Sequence, residues 1–194
     1  MRHDPARPYC ARGLGELYAF NGNTAQAEQW MAYYLQHRAG PDPEAERIYQ
    51  SLRVTSLNNQ ALSLESKGDL VSAEPLFRSA LAIAEKALGA DHPDTAGSLN
   101  NLAGLLESKG DYAGAEPLYR RALAIAEKVL GPNHPNTATS LDNLAGLLES
   151  EGDYAAAEPL YRRALSIAEK TLGPDDPATR TIRENLDTVL RKMR

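Results

Sequence analysis

Apolar side chains recur along this chain at intervals of three and four residues, which is the spacing of one face of an α-helix. The clearest example is the segment at residues 99–130, where two such stripes are separated by Gly110 and Asp111. A glycine commonly ends a helix, and an aspartate commonly precedes the next. The pattern therefore predicts two helices, 93–109 and 112–130, joined by a tight turn.

The same pattern returns with a period of 42 residues. The copy at 141–182 is identical to residues 99–140 at 32 of 42 positions, and the copy at 57–98 is identical at 29. A period of this length indicates stacked supersecondary units rather than one globular core. We therefore predict an all-α fold: a single domain built as a right-handed superhelical solenoid of antiparallel helix hairpins.

The predicted domain has five parts. They are a divergent first repeat at 8–42, a repeat with an extended first helix at 43–98, repeats at 99–140 and 141–182, and a C-terminal capping helix at 183–194. In the divergent repeat, Pro5 or Pro8 is expected to begin one helix and Thr24 to cap a second. Residues 44–67 contain neither glycine nor proline, which favours one long helix. A break at 51–56 is the alternative.

The order of large and small side chains resembles the tetratricopeptide repeat. The residues that carry the resemblance are Leu99, Leu102, Ala103 and Leu106 on the first helix, and Gly110, Ala115, Tyr119 and Ala122 on the second. The 42-residue length and the linkers at 88–93 and 130–135 more closely resemble the kinesin light chain type. Near-identical tandem copies also look like bacterial arrays of this family, or like consensus designs. The resemblance implies a scaffold without enzymatic activity that binds protein or peptide partners.

Composition and charge narrow the range of partners. The net charge of −5 and the pI near 5.4 argue against nucleic acid. The sequence has no apolar run of the roughly 20 residues that span a membrane. The lone Cys10 excludes an internal disulfide and favours the cytoplasm. Because phosphate-loop, zinc-protease and nucleophile motifs are missing, we expect no enzyme, no cofactor and no metal site.

Polar residues recur at one place on the first helix of each repeat. They are Asn58, Asn59, Asn100, Asn101, Asp142, Asn143 and Asn185. A carboxamide both donates and accepts, so a column of them could hold the main chain of an extended peptide. The resemblance implies the same role, since first helices of this family line the concave face and commonly carry asparagine at the place of Asn101. Alternatively, the asparagines were copied with the repeat or bridge neighbouring first helices.

Two glycines, Gly104 and Gly146, share that face and cost the helix about 1 kcal/mol each relative to alanine. Either a closely approaching ligand or close packing between helices would account for them. One turn before the asparagines stand Thr55, Gly97, Thr139 and Thr181. The basic residues with which chaperone-binding members hold a terminal carboxylate are therefore missing.

Other polar side chains have structural explanations. His92, His134 and Asp176 stand at equivalent places and are expected to cap helices. The tyrosines Tyr112, Tyr119, Tyr154 and Tyr161 are expected to pack without using their hydroxyl groups, since Leu70 and Phe77 occupy equivalent places. Glu65, Glu107 and Glu149 could make the edge of the groove acidic and so favour basic or polar peptides, but charges near a helix end are usually solvated, and that is what we expect.

Together these features predict a protein-protein interaction scaffold that binds an extended peptide or a helix of a partner in its concave groove. The alternative is a structural spacer or self-associating module of a larger protein. Near-identical repeats have similar stacking faces at both ends, so the chain is expected to be a monomer or to associate weakly end to end.

Overall fold

The computed structural model describes residues 8–194, with side chains from residue 11 onward. Pro5 and the side chain of Cys10 lie outside that part. The described residues form the helices α1 (Pro8–Phe20), α2 (Thr24–His37), α3 (Pro43–Glu65), α4 (Leu70–Ile83), α5 (Pro93–Ser108), α6 (Tyr112–Val129), α7 (Pro135–Ser150), α8 (Tyr154–Thr171) and α9 (Pro177–Lys192). The all-α prediction is confirmed.

The helix boundaries follow the turn chemistry of the sequence. The second helix of each full repeat begins after an aspartate, Asp69, Asp111 or Asp153, whose carboxylate accepts the backbone N–H three residues on at 3.0 Å. The glycine before each aspartate has φ near +80°, a conformation that side chains with a Cβ rarely adopt. First helices α3, α5, α7 and α9 begin on proline, whose missing N–H costs nothing there.

Three helix details bear on the predictions: one prediction was wrong, one is confirmed, and one feature was not predicted. The cap of α2 is Asn23, whose side chain accepts the Gln26 N–H, and the prediction of Thr24 as the cap was wrong. Helix α3 runs for 23 residues without the alternative break. Helix α4 is extended by a π-helical turn, Ala84–Leu88, where α6 and α8 stay α-helical.

The chain divides into two compact units, unit 1 (Met1–Ala90), described from residue 8 onward, and unit 2 (Asp91–Arg194). In unit 1, the hairpin α1–α2 packs on α3, and α3 pairs with α4. One core cluster joins Ala11, Met31, Tyr34 and Ala45, and a second joins Val54, Ala80 and Ala84. Backbones approach closely at Gly15, where a Cβ would lie 3.3 Å from the carbonyl oxygen of Ala27.

Unit 2 consists of the hairpins α5–α6 and α7–α8, followed by α9. Its first helices α5, α7 and α9 contact one another in sequence order, and we call this layer the A layer. Leucines of the first helices and alanines and isoleucines of the second fill the core; among them Leu99, Leu141 and Ala164 are fully buried. Small side chains let the helices pack closely against one another.

Arginines connect successive hairpins in unit 2. Arg163 of α8 binds Glu127 of α6 and lies 3.4 Å from the carbonyl oxygen of Pro132. On the last helix, Arg183 binds Glu169 at 2.8 Å and lies 3.4 Å from the carbonyl oxygen of Pro174. Arg183, which replaces the leucine of earlier repeats, thus reproduces on α9 the contacts that a second helix would make.

Candidate functional site

A depression of about 280 Å³ opens in the A layer between α5 and α7. Its lining is Pro93, Ala96, Gly97, Asn100, Asn101, Ala126, Leu130, Asn136, Thr139, Ser140 and Asn143. None of these side chains is ionisable, and four of them are asparagines. The surface is therefore uncharged, rich in amide donors and acceptors, and apolar at Ala96, Ala126 and Leu130.

The predicted amides divide into two groups in unit 2. Asn100 donates to the Ser140 hydroxyl at 3.2 Å, and Asn185 donates to the Asp142 carboxylate at 3.4 Å. These two contacts join α5 to α7 and α7 to α9. Asn100, Asp142 and Asn185 therefore bridge neighbouring first helices, as the alternative interpretation had it.

Asn101 and Asn143 belong to the second group. Both are half-buried, and both line the depression from successive first helices. Neither side chain bonds another residue in the described part of the chain, so donors and acceptors of both amides face the open space. The arrangement can accept and donate hydrogen bonds to an uncharged polar guest.

The remaining predicted asparagines, Asn58 and Asn59, lie on α3 in unit 1. Asn59 is exposed, and Asn58 is half-buried. Their role in binding stays a prediction.

Both predicted glycines face a tyrosine hydroxyl from their own hairpin. A Cβ at Gly104 would lie 3.4 Å from the hydroxyl oxygen of Tyr119, and one at Gly146 would lie 3.5 Å from that of Tyr161. A Cβ would be in ordinary van der Waals contact with the hydroxyl, so the two positions accept a side chain no larger than that of alanine without displacing the tyrosine. This contact favours the close-packing explanation. The sequence contains a signal for it: in the repeat at 57–98, where Phe77 replaces the tyrosine and no hydroxyl is present, Leu62 replaces the glycine.

The tyrosine hydroxyls have a function that sequence reasoning missed. Tyr119 donates to Glu107 at 3.0 Å, and Tyr161 donates to Glu149 at 3.1 Å. The expectation that these hydroxyls are unused was therefore wrong. The nearby carboxylate and burial raise the pKa of the Tyr161 hydroxyl, with burial the larger cause.

The same glutamates reach the next first helix along the A layer. Glu107 lies 3.3 Å from the Ser150 hydroxyl of α7, and Glu149 accepts a 3.2 Å hydrogen bond from Lys192 of α9. That bond raises the pKa of Lys192. The glutamates were expected to be solvated charges, but each one bridges a tyrosine and a neighbouring helix.

Asp142 is the one acid among the recurring polar residues that were predicted to bind a peptide. Burial raises its pKa, and the hydrogen bond from Asn185 opposes part of that rise. Asn100, at the equivalent place on α5, has no charge to bury. Asp142 is therefore better suited to holding α9 in place than to binding a guest.

The linker histidines cap helices, as predicted. The Nδ1 atoms of His92 and His134 accept the backbone N–H groups of Asp94 and Asn136 at 3.2 and 3.1 Å. Asp176 accepts the Ala178 N–H in the same way at 2.8 Å. No cluster of three or more metal-binding side chains occurs within residues 11–194, whose side chains the structure describes.

Unit 1 contains a polar cluster for which the sequence had no clear signal. One oxygen of Asp42 accepts the Tyr34 hydroxyl at 2.6 Å and an Arg12 guanidinium N–H at 2.7 Å. The other accepts the Ala45 N–H and caps α3. The tyrosine bond, the cap and Arg12 together lower the pKa of Asp42. This cluster joins α1, α2 and α3.

Stacked helix hairpins with a 42-residue period place the protein in the class of helical repeat scaffolds. The family model for the tetratricopeptide repeat matches residues 52–126, 94–170 and 143–193. The chain belongs to the tetratricopeptide repeat family. Members of this family are scaffolds without catalytic activity that generally bind protein partners.

Solved structures agree with this assignment. BtubC (BKLC) from P. vanneervenii is similar at TM-score 0.67 and 25% identity, over 98% of this chain and 76% of that one. A putative kinesin light chain from Podosopora anserina with nearly identical repeats is similar at TM-score 0.61 and 24% identity, over 100% and 89%. A crystal structure of a point variant of that protein gives TM-score 0.62. A search among curated proteins finds no significant match.

Across residues 8–194, no helix is both long enough and apolar enough to cross a bilayer.

Proposed function

We propose that this protein is an interaction scaffold that binds an extended segment of a partner protein on the A layer, with Asn101 and Asn143 hydrogen-bonding to its main chain. One observation carries the proposal. Asn100 also lines the uncharged depression but donates to Ser140, and Asn185 donates to Asp142, whereas Asn101 and Asn143 line the depression and bond no other side chain in the described residues. An extended main chain offers alternating N–H and C=O groups, which match such amides independently of sequence.

The proposal is tested with a partner captured on the immobilised protein and reduced to its binding segment. Replacing both amides in the variant Asn101→Ala/Asn143→Ala should weaken that segment's affinity about thirtyfold, since a few hydrogen bonds of about 0.5–1.5 kcal/mol each are lost. The measurement is a calorimetric titration. The control is Asn133→Ala, in the exposed linker before α7 and outside the depression.

Equal affinity of the double variant and the wild type would remove the main-chain mechanism. Weakening by Asn133→Ala to the same degree would show that the loss is not specific to the depression. We also propose that the protein acts in the cytoplasm, on the basis of its single cysteine.

A second candidate function is self-association, favoured by an apolar surface on α1. The side chains of Leu17 and Phe20 are 53% and 89% exposed, whereas Leu147, at the place of Leu17 in a later repeat, is fully buried. If that surface stacks on a second copy, the variant Leu17→Glu/Phe20→Glu should abolish any concentration-dependent mass increase in sedimentation equilibrium. A wild type that stays monomeric at every concentration would eliminate this candidate.

A further inference from the structure

One residue of the depression departs from its equivalents in the other repeats. Position 97 is glycine on α5, whereas α3, α7 and α9 have threonine at the corresponding places, Thr55, Thr139 and Thr181. Thr139 lies on the opposite wall of the same depression. The missing side chain at Gly97 therefore leaves a notch in one wall only.

Packing does not account for this glycine. A Cβ at Gly97 would meet no atom of another helix within 4 Å in the described structure, unlike one at Gly104, which would contact the Tyr119 hydroxyl. Its φ is negative, so no turn requires it. A glycine inside a helix costs about 0.5–1 kcal/mol relative to alanine, and here no contact offsets that cost.

The chemistry of the lining restricts what can enter the notch. The apolar part of the lining is provided by Pro93, Ala96, Ala126 and Leu130, and no ionisable side chain lines the depression. A charged group placed there would lose part of its hydration without gaining a counter-charge, which is unfavourable. An aliphatic side chain would gain from burial.

The size of the depression limits the guest further. About 280 Å³ is below the range of pockets that enclose drug-sized ligands, roughly 300–1,000 Å³, so a single side chain with its flanking peptide groups suits the space. Neighbouring helices lie about 8–10 Å apart, a span of about three residues of extended chain. A segment bonded at both ends by Asn101 and Asn143 would thus present about one side chain to the wall between them.

We propose that Gly97 determines specificity: the notch it leaves admits one small aliphatic side chain of an extended peptide and excludes charged ones. This inference rests on the proposed function, because the amides of Asn101 and Asn143 are what hold the peptide across the notch. Gly97 makes the α5–α7 surface differ from its threonine-bearing counterparts. The preferred partner sequence is therefore set at one repeat rather than evenly along the array.

The test uses blocked pentapeptides, acetyl-Gly-Ala-Val-Ala-Gly-amide and versions with aspartate or lysine in place of valine, titrated into ¹⁵N-labelled protein. Shifts of the Gly97 backbone amide and of the Asn101 and Asn143 side-chain NH₂ signals report binding at the site. The valine peptide should move these signals with an affinity at least tenfold above either charged peptide.

Two glycine variants separate the notch from general effects. Gly97→Thr, which installs the side chain of the other repeats, should weaken the valine peptide at least tenfold. The matched control is Gly13→Thr on α1, also exposed and also free of neighbours within 4 Å of its Cβ, and it should leave the affinity unchanged. Both variants should keep the wild-type helical signal, because threonine favours helix more than glycine does.

The outcomes distinguish the two proposals. If Gly97→Thr binds the valine peptide like the wild type while Asn101→Ala/Asn143→Ala weakens it, the notch is wrong and the proposed function stands. If the charged peptides bind as well as the valine peptide, the notch is likewise wrong. If the asparagine double variant binds all peptides unchanged, or if no peptide moves the three signals, both proposals fall.

Discussion

The two units are built from related repeats, but different polar interactions join the helices within each unit. In unit 2, each hairpin places a tyrosine hydroxyl on a glutamate, which also contacts the next first helix. In unit 1, the equivalent of that tyrosine is Phe77, and an ion cluster around Asp42 joins the helices instead. Where the repeat pattern is regular, one interaction is repeated; where it diverges, a local one replaces it.

The two units also differ in the sign with which one aspartate of each makes stability depend on pH. The pKa of Asp42 is lowered in the folded protein, so its stabilising effect is present above the ordinary pKa of 3.8 and is lost as the pH falls. The pKa of Asp142 is raised, so folding is favoured by this group at low pH and loses that contribution as the pH rises above 3.8. Acid should therefore weaken unit 1 at Asp42 but relieve unit 2 at Asp142.

The largest expected effect is the loss of the Asp42 cluster. Asp42→Ala removes the cap of α3 together with the acceptor of Tyr34 and Arg12, so amide hydrogen exchange in α1–α3 should accelerate strongly while α5–α9 change little. The thermal midpoint of unit 1 should fall by several degrees at pH 7, with the difference from wild type shrinking as the pH falls through the lowered pKa of Asp42.

Asp111→Ala is the matched control for Asp42→Ala, because it removes a helix cap in unit 2 and nothing else. It should cost about 1 kcal/mol, the usual value of an N-cap. An Asp42 variant no worse than this control would show that the cluster adds nothing beyond capping.

A second, smaller effect is expected at the tyrosine–glutamate pairs of unit 2. Tyr161→Phe leaves Glu149 without its buried donor and should lower the free energy of unfolding by about 1–2 kcal/mol, measured by urea denaturation. The control Tyr112→Phe removes a hydroxyl that has no hydrogen-bond partner in the described residues, and it should cost little. Equal losses from the two variants would refute the role assigned to the pair.

The sequence predicted the helices well because the period repeats every local signal. Capping aspartates, φ-positive glycines and first-turn prolines occur at fixed places in the repeat. A helix boundary that is ambiguous in one repeat can therefore be assigned by comparison with the next. The features that were not predicted lie where the repeat diverges, or where a contact depends on the orientation of a side chain. The Asn23 cap and the Asp42 cluster belong to the divergent repeat, which has no second copy for comparison.

The candidate site was predictable only in part. Spacing alone places Asn100 and Asn101 side by side, but adjacent helical residues differ by a rotation of about 100°. Asn100 therefore reaches Ser140 of the next first helix, whereas Asn101 lines the same depression without a hydrogen-bond partner in the described residues. Likewise, Phe77 suggested that the tyrosine hydroxyl is dispensable. The repeat that has Phe77 in place of tyrosine also has Leu62 in place of glycine, so these two positions change together. That pairing is visible in the sequence, but its cause is seen only in the structure, where a Cβ at Gly104 would lie 3.4 Å from the Tyr119 hydroxyl oxygen.

A stabilising effect is expected at Asp142. Asp142→Asn keeps an acceptor for Asn185 and removes a charge whose burial is unfavourable, so unit 2 should gain about 1 kcal/mol at pH 7. Near pH 3 the gain should vanish, since the aspartate is then protonated. Denaturant unfolding across this pH range measures both, with Asp175→Asn in the exposed linker before α9 as the control. A gain that is independent of pH would contradict the assignment to Asp142.

The smallest effect is expected when the tyrosine–glutamate contact of unit 2 is introduced into unit 1. Phe77→Tyr alone should gain little, because Leu62 occupies the place where Gly104 and Gly146 leave room for a hydroxyl. Leu62→Gly alone should cost about 1 kcal/mol as a glycine inside a helix.

Together, Leu62→Gly and Phe77→Tyr should recover part of that cost, with a favourable coupling free energy of about 0.5–1 kcal/mol in a double-mutant cycle. The new hydroxyl should reach Glu65, the counterpart of Glu107, whose pKa burial now raises. A hydrogen bond donated to the carboxylate favours its charged form, so the pKa of Glu65 should fall in the double variant only, as measured by NMR titration. Strictly additive effects with an unchanged pKa would mean that the tyrosine–glutamate contact depends on more of unit 2 than these two positions.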